Sequence, residues 1–131
     1  MASITNANRS RAADAVCARA NSGSLRLYDG TPPANADAAL SANNLLATLA
    51  MSATAFGAAS NGVATAAAIT QATAAASGTA TFFRVLETGG TVVVFQGTVG
   101  TTGTELVLNS TAIVSGGTVS VTALTYTQAV S

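Results

Sequence analysis

Thr79-Ala80-Thr81-Phe82-Phe83-Arg84-Val85-Leu86-Glu87-Thr88-Gly89-Gly90-Thr91-Val92-Val93-Val94-Phe95-Gln96-Gly97-Thr98-Val99 sets the fold class. Two runs rich in Thr, Val and Phe flank a Gly-Gly pair. β-branched and aromatic side chains fit a pleated surface, and glycine supplies the positive φ of a tight hairpin turn. The spacing predicts a hairpin of residues 79–87 with 91–99. Val92 to Phe95 are apolar on both faces, the pattern of a central strand, so further strands must flank it.

Working outward, Asn61-Gly62 and Gly116-Gly117 carry the same turn chemistry. The first predicts a hairpin of 55–60 with 63–70, where the many alanines leave helix as an alternative. The second predicts a hairpin of 111–115 with 118–127, with a bulge near Ala123, because Val119, Val121 and Ala123 share one face while Leu124 and Tyr126 share the other. Upstream, Leu25 and Leu27 alternate with Arg26 and Tyr28 in 24–28, and Asp29-Gly30-Thr31-Pro32-Pro33 stops that strand because proline donates no ladder hydrogen bond. A connecting loop, 34–44, leads to a strand at 45–51 with Leu45, Ala47, Leu49 and Met51 together. Helical spacing is clear only in 7–20, where Ala12, Ala13, Val16, Cys17 and Ala20 form one stripe, with Asn6 or Asn8 as the cap and Gly23 as the stop. The expected architecture is mainly β: an antiparallel β-sandwich or jelly roll of about eight short strands, or a small barrel, with an N-terminal helix. It divides into an N-terminal helical segment, 1–23, and a β-domain, 24–131.

Composition narrows the chemistry. Of the 131 residues, 74 are Ala, Thr, Gly or Ser, and the five Arg balance five acids. There is no Lys, His or Trp. Without His the usual nucleophile pairs, imidazole bases and common zinc ligand sets are missing, and without Lys there is no Schiff base or P-loop lysine. The expectation is a non-enzyme with no cofactor and no metal. Zero net charge argues against nucleic-acid binding through a broad basic surface. The N-terminus does not read as a signal peptide, and 63–76 is too broken by Thr and Gln to span a membrane. The lone Cys17 reads as a small buried hydrophobe in a reducing setting. A core of small side chains buries little apolar area per residue, which favours association into a dimer or trimer.

Few constellations rise above this background. Asp29, Asn35 and Asp37 offer oxygen ligands, but without an EF-hand pattern they read as turn formers. Gly97, Gly100 and Gly103 precede no helix and read as a turned strand connection. Glu87 and Glu105 are the only glutamates, Arg84 reads as projecting from an amphipathic strand, and Phe82, Phe83 and Phe95 read as core. Tyr28 and Tyr126 are the aromatic candidates for a recognition surface.

Several of these segments, in order, resemble small Ala/Thr/Gly-rich virion structural proteins of tailed bacteriophages. They are Ser24-Leu25-Arg26-Leu27-Tyr28-Asp29-Gly30-Thr31-Pro32-Pro33, Leu45-Leu46-Ala47-Thr48-Leu49, Gly78-Thr79-Ala80-Thr81-Phe82-Phe83-Arg84, Gly97-Thr98-Val99-Gly100, Leu106-Val107-Leu108-Asn109 and Gly116-Gly117-Thr118-Val119. The resemblance implies a capsid decoration or cement protein on the virion exterior, assembled in the host cytoplasm. Its partners would be the major capsid protein and neighbouring copies of itself, with no nucleic acid and no membrane. A neck, tail or head-fibre recognition module is the alternative. Charges concentrated near the N-terminus can register docking, so the expected contact residues are Arg9, Arg11, Arg19, Tyr28, Asp29, Pro32 and Pro33.

Overall fold

The computed structural model describes residues 2–129. The chain is mainly β with one N-terminal helix, arranged as a sandwich-like fold. In chain order the elements are α1 (Asn6–Ala18), β1 (Ser24–Tyr28), β2 (Leu45–Ala50), β3 (Val63–Thr65), β4 (Ala72–Thr73), β5 (Gly78–Thr79), β6 (Phe82–Leu86), β7 (Val93–Gly100), β8 (Leu106–Leu108), β9 (Ala112–Ile113), β10 (Thr118–Val119) and β11 (Val121–Thr127). Seven strands form one sheet in the order β2-β1-β6-β7-β8-β11-β3, and two short ribbons pair β10 with β4 and β5 with β9.

The β6–β7 hairpin is central, as its apolar faces require. β6 is buried along its whole length, and loop 88–91 closes the hairpin, with Glu87 N–H donating to Val92 O at 2.9 Å. The expected strand 79–87 is split. Ala80 N–H donates to Thr111 O while the next residue, Thr81, donates to Tyr28 O, so the chain changes sheets between them. Asn61-Gly62 makes the expected two-residue turn, with φ of 51° and 78° and reciprocal bonds between Ser60 and Val63. Of the expected strands 55–60 and 63–70, neither is helix, but only 63–65 is strand and 55–60 contributes isolated bridges at Phe56 and Ser60. β2 and β3 are the two edges of the sheet, and the chain following β2 bridges back to β3 at Phe56↔Ala66 and Ser60↔Val63, so the sheet curls on itself. Inside it, Leu25, Leu27, Leu49, Phe83, Leu106 and Leu124 are all fully buried in one cluster. The expected bulge lies in β11, where the register against β8 shifts between Val121 and Ala123.

The turn at Gly116-Gly117 forms, with Gly117 N–H donating to Val114 O at 2.8 Å and Gly116 at φ 83°, but its flanking strands do not pair into a hairpin. β9 pairs with β5 and β10 with β4, because residues 74–77 bond the remaining backbone groups of the turn: Gly116 N–H donates to Ala74 O at 2.9 Å, Ala74 N–H to Gly117 O at 2.8 Å and Ser115 N–H to Ser77 Oγ at 2.8 Å. The two ribbons lie on one register, Thr73↔Thr118 and Gly78↔Ile113, and are the ends of one antiparallel pairing kinked at its centre. β7 and β8 are the one parallel pair in the sheet, overlapping only at Val99↔Leu106 and Gly100↔Val107.

Helix α1 is capped by Thr5, not Asn6 or Asn8: the Thr5 hydroxyl accepts from Asn8 N–H at 3.2 Å. Its apolar stripe faces inward as expected, with Ala13, Cys17 and Ala20 buried and the last two in the main core. The residue that turns the chain is Ser22, at φ 57°, and not Gly23. Gly23 is instead demanded by proximity, since a Cβ there would lie 2.0 Å from Leu86 O. No helix of the described residues is long and apolar enough to cross a membrane.

Candidate functional site

The seven expected contact residues do not converge. Arg9 donates twice to Gln128 O, at 3.1 and 2.9 Å, and tethers α1 to the end of β11. Arg11 bonds Asn8 on its own helix. Arg19 forms an exposed ion pair with Glu87 at 2.8 Å. Tyr28, expected at a contact surface, is only 4% exposed and stacks on Phe82, with ring centroids 5.2 Å apart. Asp29 accepts from Asn44 N–H at 2.7 Å and from the Asn44 side-chain amide at 3.1 Å. Those bonds, backbone first, hold its carboxyl below the usual range. Pro32 is exposed, and the half-buried Pro33 offers its carbonyl to Gln96 Nε2 at 3.0 Å.

Of Asp29, Asn35 and Asp37, Asn35 is a turn former, its Oδ1 accepting from the N–H of Asp37 and of Ala38, both at 3.0 Å, whereas Asp29 ties the two ends of the loop together through Asn44. The loop between β1 and β2 is fastened across the outer face of the sheet by Arg84. That side chain was expected to project from an amphipathic strand and is instead 6% exposed. Its Nε donates to Gln96 Oε1 at 2.9 Å and its Nη2 to Ala38 O and Asn35 O. Strand β6 is covered on both faces, so a charge placed there must bond to carbonyls. The pattern Phe82-Phe83-Arg84-Val85-Leu86, apolar on either side, carried that signal.

A cleft lies elsewhere and follows from strand lengths. β8 has three residues, whereas its neighbours β7 and β11 have eight and seven. β8 pairs with β7 only at Val99 and Gly100, and with β11 only as far as Leu124, beyond which Thr125 N–H donates to Glu105 O at 2.9 Å. Past that point β7 and β11 face one another across a notch of about 520 Å³ lined by Phe95, Gln96, Thr104, Glu105, Tyr126 and Thr127. The Phe95 and Tyr126 rings, 4.8 Å apart, close it on the core side. Glu105 sits at the rim and accepts from the Thr98 hydroxyl at 2.6 Å. Tyr126 donates its hydroxyl to Gln128 Oε1 at 2.9 Å, and burial followed by nearby Cys17 raises its pKa, keeping it a donor.

Backbone groups complete the notch. Residues of an antiparallel strand alternate between the two neighbouring sides. Val99 N–H donates to Thr81 O, so the odd-numbered residues 95–99 of β7 bond toward β6 and Gln96 turns its N–H and C=O into the notch. On β11, Leu124 O and Gln128 N–H bond toward β3, so Thr127 turns its backbone groups into the notch from the other side. The site is an interrupted sheet, with hydrogen-bonding edges on both walls and an aromatic base. Among the described residues no group of three His, Cys, Asp or Glu converges to hold a metal ion. No family model, curated protein or solved structure matches the chain.

Proposed function

We propose that this chain is a structural protein of a tailed-bacteriophage virion, one that decorates or cements the capsid by binding the major capsid protein on its exterior. It acts without catalysis or cofactor, and alongside copies of itself as a homo-oligomer. The observation that carries this reading is how the charges are used. Arg9, Arg19, Arg84, Asp14, Asp29 and Glu87 all bind other parts of the same chain. What faces outward is largely Thr, Ala and Ser, a neutral surface suited to repeated docking against a shell. The order of the segments that resemble virion proteins supplies the class. A protein that binds only the assembled shell stabilises it by mass action.

The test is to add purified protein to shells lacking it, then measure co-sedimentation and the melting temperature of the shells. Saturable binding with a raised melting temperature is expected. Absence of binding, or localisation of the chain at the neck, tail or fibre in images of virions, overturns the capsid role.

A further inference from the structure

We infer that the notch between β7 and β11 receives the N-terminal arm, residues 2–5, of a second copy of this chain, which completes the interrupted sheet as an added strand. The inference takes up the self-association in the proposed function and names its contact. The walls fit such an occupant, because Gln96 on one side and Thr127 on the other present strand-edge hydrogen-bonding groups, and exposed strand edges bind extended segments.

The arm has matching features. Ala2, Ser3, Ile4 and Thr5 are all exposed and carry no regular structure, and Thr5 is extended at φ −72° and ψ 160°. Ile4 is a large apolar side chain left 41% exposed in its own chain. With strand alternation, placing Ile4 over the Phe95 and Tyr126 rings turns Ser3 and Thr5 outward beside Gln96 and Thr127. Four residues span about 13 Å as a strand, enough to continue β8 along the notch. Position also favours exchange. Arg9 holds the first turn of α1 against Gln128, the neighbour of Thr127, so arm and notch lie at the same end of the molecule. Two copies meeting end to end can each place an arm in the other's notch around a two-fold axis, a contact that closes on itself.

The test uses purified chains without shells, so it can fail independently of shell docking. A Ser3→Cys chain is mixed with a Thr127→Cys chain under mild oxidation, with Thr48→Cys replacing Thr127→Cys as the distant control. A disulfide-linked pair is expected in the first mixture well above the control. The Ile4→Asp variant, altered only at an exposed side chain, should raise the dimer dissociation constant by at least about tenfold in light scattering. Linkage no greater than the control overturns the proposal, as does an unchanged mass distribution for Ile4→Asp. So does a chain carrying both cysteines that links within itself at high dilution, since the arm would then fill its own notch.

Discussion

Arg84 and Gln96 stand directly opposite one another on β6 and β7, joined side chain to side chain at 2.9 Å, and between them they hold three backbone carbonyls of the β1–β2 loop. A buried guanidinium without a carboxylate partner is tolerated here because the loop surrounds it with acceptors. Its neighbour across β1 is another cation, Arg26. The loop is thus pinned across the face of the sheet by two side chains that rise from it.

Truncating Arg84 strands those carbonyls under the loop. Arg84→Ala should lower unfolding stability by about 3 kcal/mol, and Gln96→Ala by about 1 kcal/mol. The double variant should lose less than the sum, since both act on the same loop. Urea melts check the magnitudes, and limited proteolysis should cut between residues 30 and 43 faster in Arg84→Ala than in the parent chain.

Gly97 is small because Phe83 needs the space: a Cβ there would sit 2.7 Å from the Phe83 ring. Gly97→Ala should cost about 1–3 kcal/mol by overpacking. Phe83→Leu in the same chain should recover part of that loss, a positive coupling readable in a double-mutant cycle. Equal loss in both backgrounds would mean that the clash is relieved elsewhere.

Burial, and after it the Asp14 carboxylate, push the Cys17 thiol from its ordinary 9.0 up to about 11. The folded chain therefore holds this proton more tightly than the unfolded chain does. The contribution is whole below about pH 9 and is lost as pH rises through about 11. Thermal melts should fall more steeply across that window for the parent chain than for Cys17→Val. Thiol reagents at neutral pH should modify Cys17 only on unfolding.

Asp29 has the opposite sign. Its carboxyl is held low by bonds from Asn44, so its contribution is present above the ordinary 3.8 and lost as pH falls through the lower folded value. Asp29→Asn should melt below the parent chain at neutral pH. The gap between the two should narrow as pH falls below the ordinary carboxyl value.

Deleting residues 2–20 should abolish the cooperative melt, because Cys17 and Ala20 belong to the main core. Deleting only 2–4, which spares the Thr5 cap, should leave the melt intact while weakening self-association. Circular dichroism and light scattering on the two truncations separate the helix's part in the fold from the arm's part in contact.

The β-rich class, the central hairpin, the turn at Asn61-Gly62, the inward stripe of α1 and the bulge near Ala123 were all legible along the chain. Each rests on periodicity or turn chemistry among neighbours, which local sterics and burial dictate. Tertiary contacts decided the rest. Gly116-Gly117 makes the turn its composition predicts, yet residues 74–77 bond the backbone beside it and keep the flanking strands from pairing, and turn chemistry is blind to a distant competitor. Tyr28 and Arg84 are buried because a loop closes over a face that alternation alone leaves to solvent. The notch depends on β8 stopping short of two longer neighbours, a relation among three strands that no single segment contains.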